Sequence, residues 1–121
     1  MKIGNKELRI PIIQGGMGVG VSLGNLAGHV AKCGGLGVIS SVNAGYQEPR
    51  FGTDPKGANF FALKNEILKA KSIAGGQGMI AVQGNVEDGL FFCGENVHRI
   101  DKIMTVEELM REIITEWREN S

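Results

Sequence analysis

Residues Arg9–Asn43, RIPIIQGGMGVGVSLGNLAGHVAKCGGLGVISSVN, carry the pattern around which the rest of the chain is arranged. The first apolar run, Ile10–Ile13, is short and rich in β-branched residues, which is typical of a buried strand. Further on, apolar residues recur with the spacing of one helix face; they are Leu23, Leu26, Ala27 and Val30. Gly34 predicts the end of that helix, and Leu36–Ile39 predicts a second buried strand. The stretch therefore predicts one complete β-α-β unit.

The loop between the first strand and the helix, Gln14–Gly20, contains four glycines. Ligands in α/β proteins bind at the carboxyl ends of parallel strands, and glycine lets the backbone approach a flat or anionic ligand. The same glycines could instead form a tight turn, and spacing alone leaves both interpretations open. A dinucleotide fingerprint is disfavoured, because Val21 stands at its last position. Ser22 is expected to cap the helix through its hydroxyl.

The chain then continues the alternation of strand and helix. Val42–Ala58 has no periodicity and predicts a long loop, and Asn59–Ala74 predicts a second helix. Its expected buried stripe is Phe60, Leu63, Ile67, Ala70 and Ala74. Glu66 is expected to face water and to pair with Lys69. Met79–Val82 predicts a third buried strand, so the order is β-α-β-α-β with parallel crossovers.

The last part of the chain predicts a helix with a well-defined start. Thr105 and Glu108 have the spacing of a capping box. A strong apolar stripe follows it: Val106, Leu109, Met110, Ile113, Ile114 and Trp117. An isolated helix of this length is marginal in water, so the stripe must dock on another surface. We expect residues 1–82 and 83–121 to form one domain together.

Composition excludes several classes of partner. Thirteen basic and thirteen acidic side chains cancel among 121 residues, so neither nucleic acid nor an anionic membrane is indicated. No apolar stretch approaches the roughly 20 residues of a membrane span, and no signal peptide is evident at Met1. Cys33 and Cys93 have no metal-binding or disulfide spacing. The expectation is a cytoplasmic protein with reduced thiols and no metal.

Three separate blocks of sequence resemble the nitronate monooxygenase family, once called 2-nitropropane dioxygenases. They are IPIIQGGMG at Ile10–Gly18, LAGHVAKCGGLGVIS at Leu26–Ser40, and the tail at Gly84–Met110. The resemblance implies a (β/α)8 barrel with FMN at the carboxyl ends of its strands, and oxidation of alkyl nitronates with O2. By this resemblance, the chain corresponds to the first three strands and the extreme tail of the family, and we hypothesise an internal deletion with its junction near Ala81–Gly84. Its expected fold is α/β, a partial (β/α) barrel-type unit of three parallel strands with flanking helices and a C-terminal helix.

The resemblance assigns only one side of a flavin site. The residues expected to contact FMN are Gln14, Gly15, Gly16, Met17, Ser40, Ser41 and Gly94. The family's phosphate loops and its proton-abstracting histidine belong to the absent middle, so no catalytic residue is assigned here. The expected function is an FMN-dependent nitronate monooxygenase that is impaired or inactive as this short chain. The alternative is a non-catalytic fragment or self-assembling α/β protein.

Three strands cannot close a barrel, and their open edges leave backbone groups unpaired. The chain could fold as a small open unit covered by its last helix, associate with copies of itself, or remain poorly folded. We expect the first two together, an open parallel sheet in a homo-oligomer.

Overall fold

The structure, a computed structural model, describes residues 1–84 and 102–120. These residues form three helices and two small sheets. The elements are β1 Lys2–Ile3, β2 Lys6–Glu7, α1 Gly24–Lys32, β3 Leu36–Ser40, α2 Pro55–Ala74, β4 Met79–Gln83 and α3 Val106–Glu119. The strands β1 and β2 form an antiparallel hairpin. Mixed α/β architecture is therefore confirmed, whereas the described residues form no closed barrel.

The central sheet is a parallel pair of β3 and β4, in the register Leu36 opposite Met79. The predicted first strand is wrong as a full strand, since only a bridge between Ile13 and Leu36 remains of it. Pro11 has no N–H to donate, and the Ile12 N–H turns back to the Ile10 carbonyl at 2.8 Å. The first segment nevertheless lies beside β3, because the N–H of Leu36 donates to the Ile12 carbonyl at 2.9 Å.

The core lies between this sheet and the helices α1 and α2. Ala27, Ile39 and Ala70 form a buried cluster, and three half-buried side chains pack against it: Leu63, Ile67 and Ile80. The two helices approach closely because α1 carries glycine at the contact. A Cβ on Gly28 would lie 2.8 Å from the Ile73 Cβ and 3.0 Å from the Ala70 carbonyl oxygen.

The second helix begins four residues earlier than predicted, at Pro55. Asp54 is its N-cap and accepts a hydrogen bond from the Gly57 N–H at 2.9 Å. Proline at the first helical position has a φ angle suited to a helix and no N–H to satisfy. The predicted burial of Phe60 is wrong, since its side chain is 74% exposed. Ala70 and Ala74 are buried as predicted, and Leu63 and Ile67 pack half-buried against the core. The other buried positions of the helix hold Ala58, Asn59 and Ala62.

The predicted start of α3 is confirmed. The Thr105 hydroxyl accepts from the Glu108 N–H, and the Glu108 carboxylate accepts from the Thr105 N–H. Most of the apolar stripe is not buried, however. Met110 is the residue of α3 that is fully buried, while Leu109, Ile113 and Trp117 are exposed. No helix among residues 1–84 and 102–120 is long and apolar enough to cross a membrane.

Candidate functional site

The predicted flavin-facing residues in the described part of the chain gather at the carboxyl edge of the sheet. The Gln14 side-chain oxygen accepts from the Val38 N–H at 3.0 Å, which fixes the loop against β3. The side-chain oxygen of Gln83, at the end of β4, accepts from the Gly16 N–H at 3.2 Å. The Gln83 carbonyl accepts from the Ser41 N–H at 2.9 Å. Loop, β3 and β4 thus end in one connected cluster.

Ser22 holds this cluster together. Its hydroxyl oxygen accepts from the Met17 N–H at 2.9 Å and lies 3.0 Å from the Gln14 side-chain nitrogen. Its carbonyl accepts from the Ser40 N–H at 2.8 Å. The prediction that Ser22 caps α1 is wrong, because its hydroxyl bonds the preceding loop and no side chain of the N-cap residue, Leu23, caps the helix. A serine between a glycine loop and a helix suits either role, so the sequence could not distinguish them.

The amino terminus of α1 is capped from a distance. The Glu66 carboxylate, on α2, accepts from the Gly24 N–H at 2.6 Å. The expectation that Glu66 faces water is therefore wrong, since the residue is half-buried between the helices. No local sequence signal connects positions 24 and 66, because the contact exists only after the two helices pack.

The three helix amino termini hold carboxylates of the same chain. Glu66 caps α1, Asp54 caps α2, and Glu108 caps α3. Helix amino termini are common phosphate sites because they offer unpaired N–H groups and a positive dipole end. A carboxylate already in that position removes the donor and repels an anion. The described helices therefore offer no phosphate site at their amino termini.

Ser41 has an unsatisfied polar atom within the cluster. The residue is 2% exposed, and its hydroxyl has no hydrogen-bond partner among the described residues. A Cβ on Gly84 would lie 3.0 Å from that hydroxyl oxygen. Leaving a buried hydroxyl unpaired costs about 1–3 kcal/mol, so this atom is a candidate to bond a ligand. Ser40 differs, because its hydroxyl oxygen lies 3.4 Å from the Val42 N–H and accepts from it.

The glycines of the loop are not equivalent. A Cβ on Gly16 would lie 3.0 Å from the Gln83 side-chain oxygen, whereas a Cβ on Gly15 would meet no atom within 4 Å. A side chain at Gly16 would therefore crowd Gln83 and Val38 of the same chain. Gly15 is exposed and faces open space, so of these two glycines only Gly15 leaves room for a ligand.

Of the predicted contact residues, the structure brings together Gln14, Gly15, Gly16, Met17, Ser40 and Ser41. Gly94 lies outside the described residues. Ser22, Gln83 and Glu66 were not predicted as part of this region. Gln83 had one usable signal, its position directly after an apolar strand at the ligand-binding edge.

Among the described residues, Glu108 on α3 is a carboxylate whose pKa is shifted, and it does not belong to the carboxyl-edge cluster. Glu108 has a pKa below its usual value, first because its carboxylate accepts the Thr105 backbone N–H and then because of the Thr105 hydroxyl. Within residues 1–84 and 102–120, no three His, Cys, Asp or Glu side chains gather as they would around a metal ion. The carboxyl-edge cluster itself consists of uncharged residues, so it is a neutral polar surface.

These residues fit one part of FMN and not another. Open backbone at Gly15 and the unpartnered hydroxyl of Ser41 suit a flat ring with a polar edge. A phosphate needs several convergent N–H donors or a cation, and the amino terminus of α1 nearby holds Glu66 instead. Among the described residues, this edge therefore offers open backbone and a hydroxyl, and no set of convergent donors for a phosphate.

Comparisons with protein-family models, with curated proteins and with solved structures found no match to this chain.

Proposed function

We propose that this chain presents the ring-facing side of an FMN site of the nitronate monooxygenase type. The observation that carries the proposal is the buried, unpartnered hydroxyl of Ser41 at the carboxyl edge of β3. Carboxyl edges of parallel strands are where α/β proteins bind cofactors, and a hydroxyl without a partner gains a full hydrogen bond when a ligand arrives.

Each residue of the cluster has a separate role in this proposal. Gly15 admits the flat ring because no side chain stands over its backbone. Ser41 donates its hydroxyl proton to the polar edge of the ring, which requires Gly84 to move aside because the hydroxyl is buried beside it. Gln14 and Ser22 position the loop through the contacts to Val38 and Met17. FMN, when bound, supplies the redox chemistry between an alkyl nitronate and O2.

The chain by itself is proposed to be inactive toward nitronates. The resemblance places the proton-abstracting histidine and the phosphate loops in the part of the family that this chain lacks. The carboxylates at the described helix amino termini support the same conclusion, because they leave the FMN phosphate without a binding group there. We therefore expect ring binding that is weak and independent of the phosphate.

Flavin fluorescence quenching tests this proposal directly. We expect FMN and riboflavin to bind with dissociation constants within about threefold of each other, since only the shared ring is held, a difference below about 0.7 kcal/mol. Ser41→Ala removes the donor and should raise the dissociation constants of FMN and riboflavin about tenfold, a loss of ~1.4 kcal/mol in binding free energy. It should not lower the midpoint of thermal unfolding, because the hydroxyl lost had no partner. Ser72→Ala, on the exposed side of α2, is the matched control.

Gly15→Ala provides a second, steric test. Alanine meets no atom of the chain, so stability should hold or rise slightly, while both flavins should bind more weakly. Gly52→Ala has equally open surroundings and should change neither property. Binding of FMN at least a hundredfold tighter than riboflavin, or nitronate-dependent O2 uptake by the monomer, would contradict the proposal.

A second candidate function is a non-catalytic, self-assembling α/β protein. The exposed apolar side chains of α2 and α3, including Phe60 and Trp117, favour it, because large apolar patches mark interaction surfaces. A chain that binds neither flavin, and whose Ser41→Ala form behaves like the wild type, would support this candidate over the first.

A further inference from the structure

The two opposite ends of the described fold present different elements. On one end, α3 lies beside the segment Arg9–Ile13, called here the Ile13 segment, with a cavity of about 190 Å³ between them. On the other end, α2 contacts β4. The helix α1 contacts both α2 and α3. The helices therefore run in the order α3, α1, α2 alongside the Ile13 segment, β3 and β4.

Both sheet edges present backbone groups. The N–H of Met79 donates toward β3, to the Gly35 carbonyl at 3.0 Å. By the alternation of a parallel ladder, the N–H groups of Ile80 and Val82 face away from β3. No other described residue pairs with that edge. At the opposite edge, Ile13 is 51% exposed. The strand β4 carries neither lysine nor proline, which are common protections against pairing with another chain. The Ile13 segment carries Pro11, so pairing at that edge falls to the residues after it.

The helix layer shows matching apolar surfaces at the same two ends. On α2, a groove of about 240 Å³ is lined by Phe60, Leu63, Lys64, Ile67 and Leu68. On α3, the exposed apolar side chains are Leu109, Ile113 and Trp117. Burying a side chain of this size stabilises a protein by roughly 1.5–3 kcal/mol, and each of these exposed side chains lacks that stabilisation.

The charges of these two helices are opposite. Within α2 there are four lysines and one glutamate, a net charge of plus three. Its glutamate, Glu66, faces α1, so the outer surface is basic. Within α3 there are five glutamates and two arginines, a net charge of minus three. Two copies of α2 would repel one another, whereas α2 of one copy attracts α3 of another.

We propose that the end of one copy formed by α2 and β4 binds the end of a second copy formed by α3 and the Ile13 segment, head to tail. One such contact covers the apolar groove of α2 with α3 and continues the parallel sheet from β4 to the Ile13 segment. Because the two surfaces differ, the contact is heterologous and closes into a ring when the rotation between copies allows it. The proposal does not depend on flavin binding.

Charge reversal and complementation test the proposal by analytical ultracentrifugation. The wild type should sediment as a multiple of the 12.9 kDa chain at tens of micromolar and low salt. Lys64→Glu, in the groove of α2, and Glu116→Lys, on the exposed side of α3, should each weaken self-association at least tenfold. Lys2→Glu reverses a charge on the exposed hairpin and should leave it unchanged. Circular dichroism should show the same helix content in all four proteins.

Mixing the two interface variants gives the decisive result. In a mixture of Lys64→Glu and Glu116→Lys chains, alternating copies have opposite charges at every junction, so assemblies should reappear that neither variant forms alone. A monomeric wild type would overturn the proposal, since the chain would then cover its own edge. Self-association that neither charge reversal weakens would also overturn the proposal. So would a mixture of the two variants that stays monomeric. The flavin titration is read separately, so either proposal can fail without the other.

Discussion

The helices α2 and α3 differ in a way that their sequences do not suggest. The apolar residues of α3 form an orderly stripe, yet Met110 is its fully buried residue. The apolar residues of α2 are spread around the helix, with Phe60, Phe61 and Leu68 exposed, yet α2 packs closely on α1. The fully buried residues of α2 are small, and they let the backbones approach. An apolar stripe therefore indicates that a helix needs a partner, and it does not say whether that partner lies within the same chain.

The largest expected effect is at the contact between α1 and α2. Gly28→Leu places a side chain where even a Cβ would lie 2.8 Å from the Ile73 Cβ. We expect a loss of about 3 kcal/mol in the free energy of unfolding, the upper range for overpacked cores, measured by urea denaturation. Gly52→Ala serves as the control, because its surroundings are open. A change below about 1 kcal/mol would mean that the two helices are not held as closely as described.

A smaller effect is expected at α3. Met110→Ala removes a buried side chain and should lower the free energy of unfolding by about 2 kcal/mol. Leu109→Ala, its exposed neighbour, should cost under about 1 kcal/mol when measured at micromolar concentration or below, where self-association is weak. If the two substitutions lower the free energy of unfolding equally, the burial of Met110 is not what holds α3 against the rest of the fold. If the cost of Leu109→Ala rises with protein concentration, its face is buried between copies.

The smallest expected effect is the pH dependence of the α3 cap. The Thr105 N–H and hydroxyl hold the pKa of Glu108 below its usual value, so the folded state favours the ionised carboxylate. The resulting stabilisation is complete above the pKa of the unfolded chain, about 4.3, and is lost as pH falls through the lower folded value. Glu108→Gln should therefore lower the thermal midpoint at about pH 6 more than at about pH 3. Glu119→Gln, which makes no cap, should show no such difference.

Local patterns predicted the elements whose causes are local. The capping box at Thr105 and Glu108, the strand at Met79, and the helix end at Gly75, with φ of 57°, depend on neighbours within a few residues. The β-branched residues of the first segment predicted a full strand. The structure keeps only a bridge there, because Pro11 has no N–H to donate and interrupts the ladder. The helix start at Pro55 was missed, although Asp54 and Pro55 form a recognised start signal.

The candidate site was predicted in part. Gln14, Gly15 and Ser41 were assigned through the family resemblance, which agrees with the general rule that loops after parallel strands share one edge of the sheet. Glu66 could not be identified, since Gly24 is brought near it only by packing. Gln83 had a signal in its position after an apolar strand, but its contact with Gly16 depends on packing. The role of Ser22 was ambiguous, because its hydroxyl could cap the helix or bond the preceding loop. Glu66 is 42 positions from Gly24, and Gln83 is 67 positions from Gly16.

Three properties of this chain follow from the order of its residues alone: the alternation of strand and helix, the glycine-rich loop after residue 13, and the need of the last helix for a partner surface. Each depends on the periodicity and backbone preferences of nearby residues. Three others depend on packing: Glu66 holds the amino terminus of α1, the hydroxyl of Ser41 has no partner among the described residues, and α2 and α3 lie at opposite ends. These depend on which distant groups meet when the helices pack, because the partners of a buried group come from segments far away along the chain.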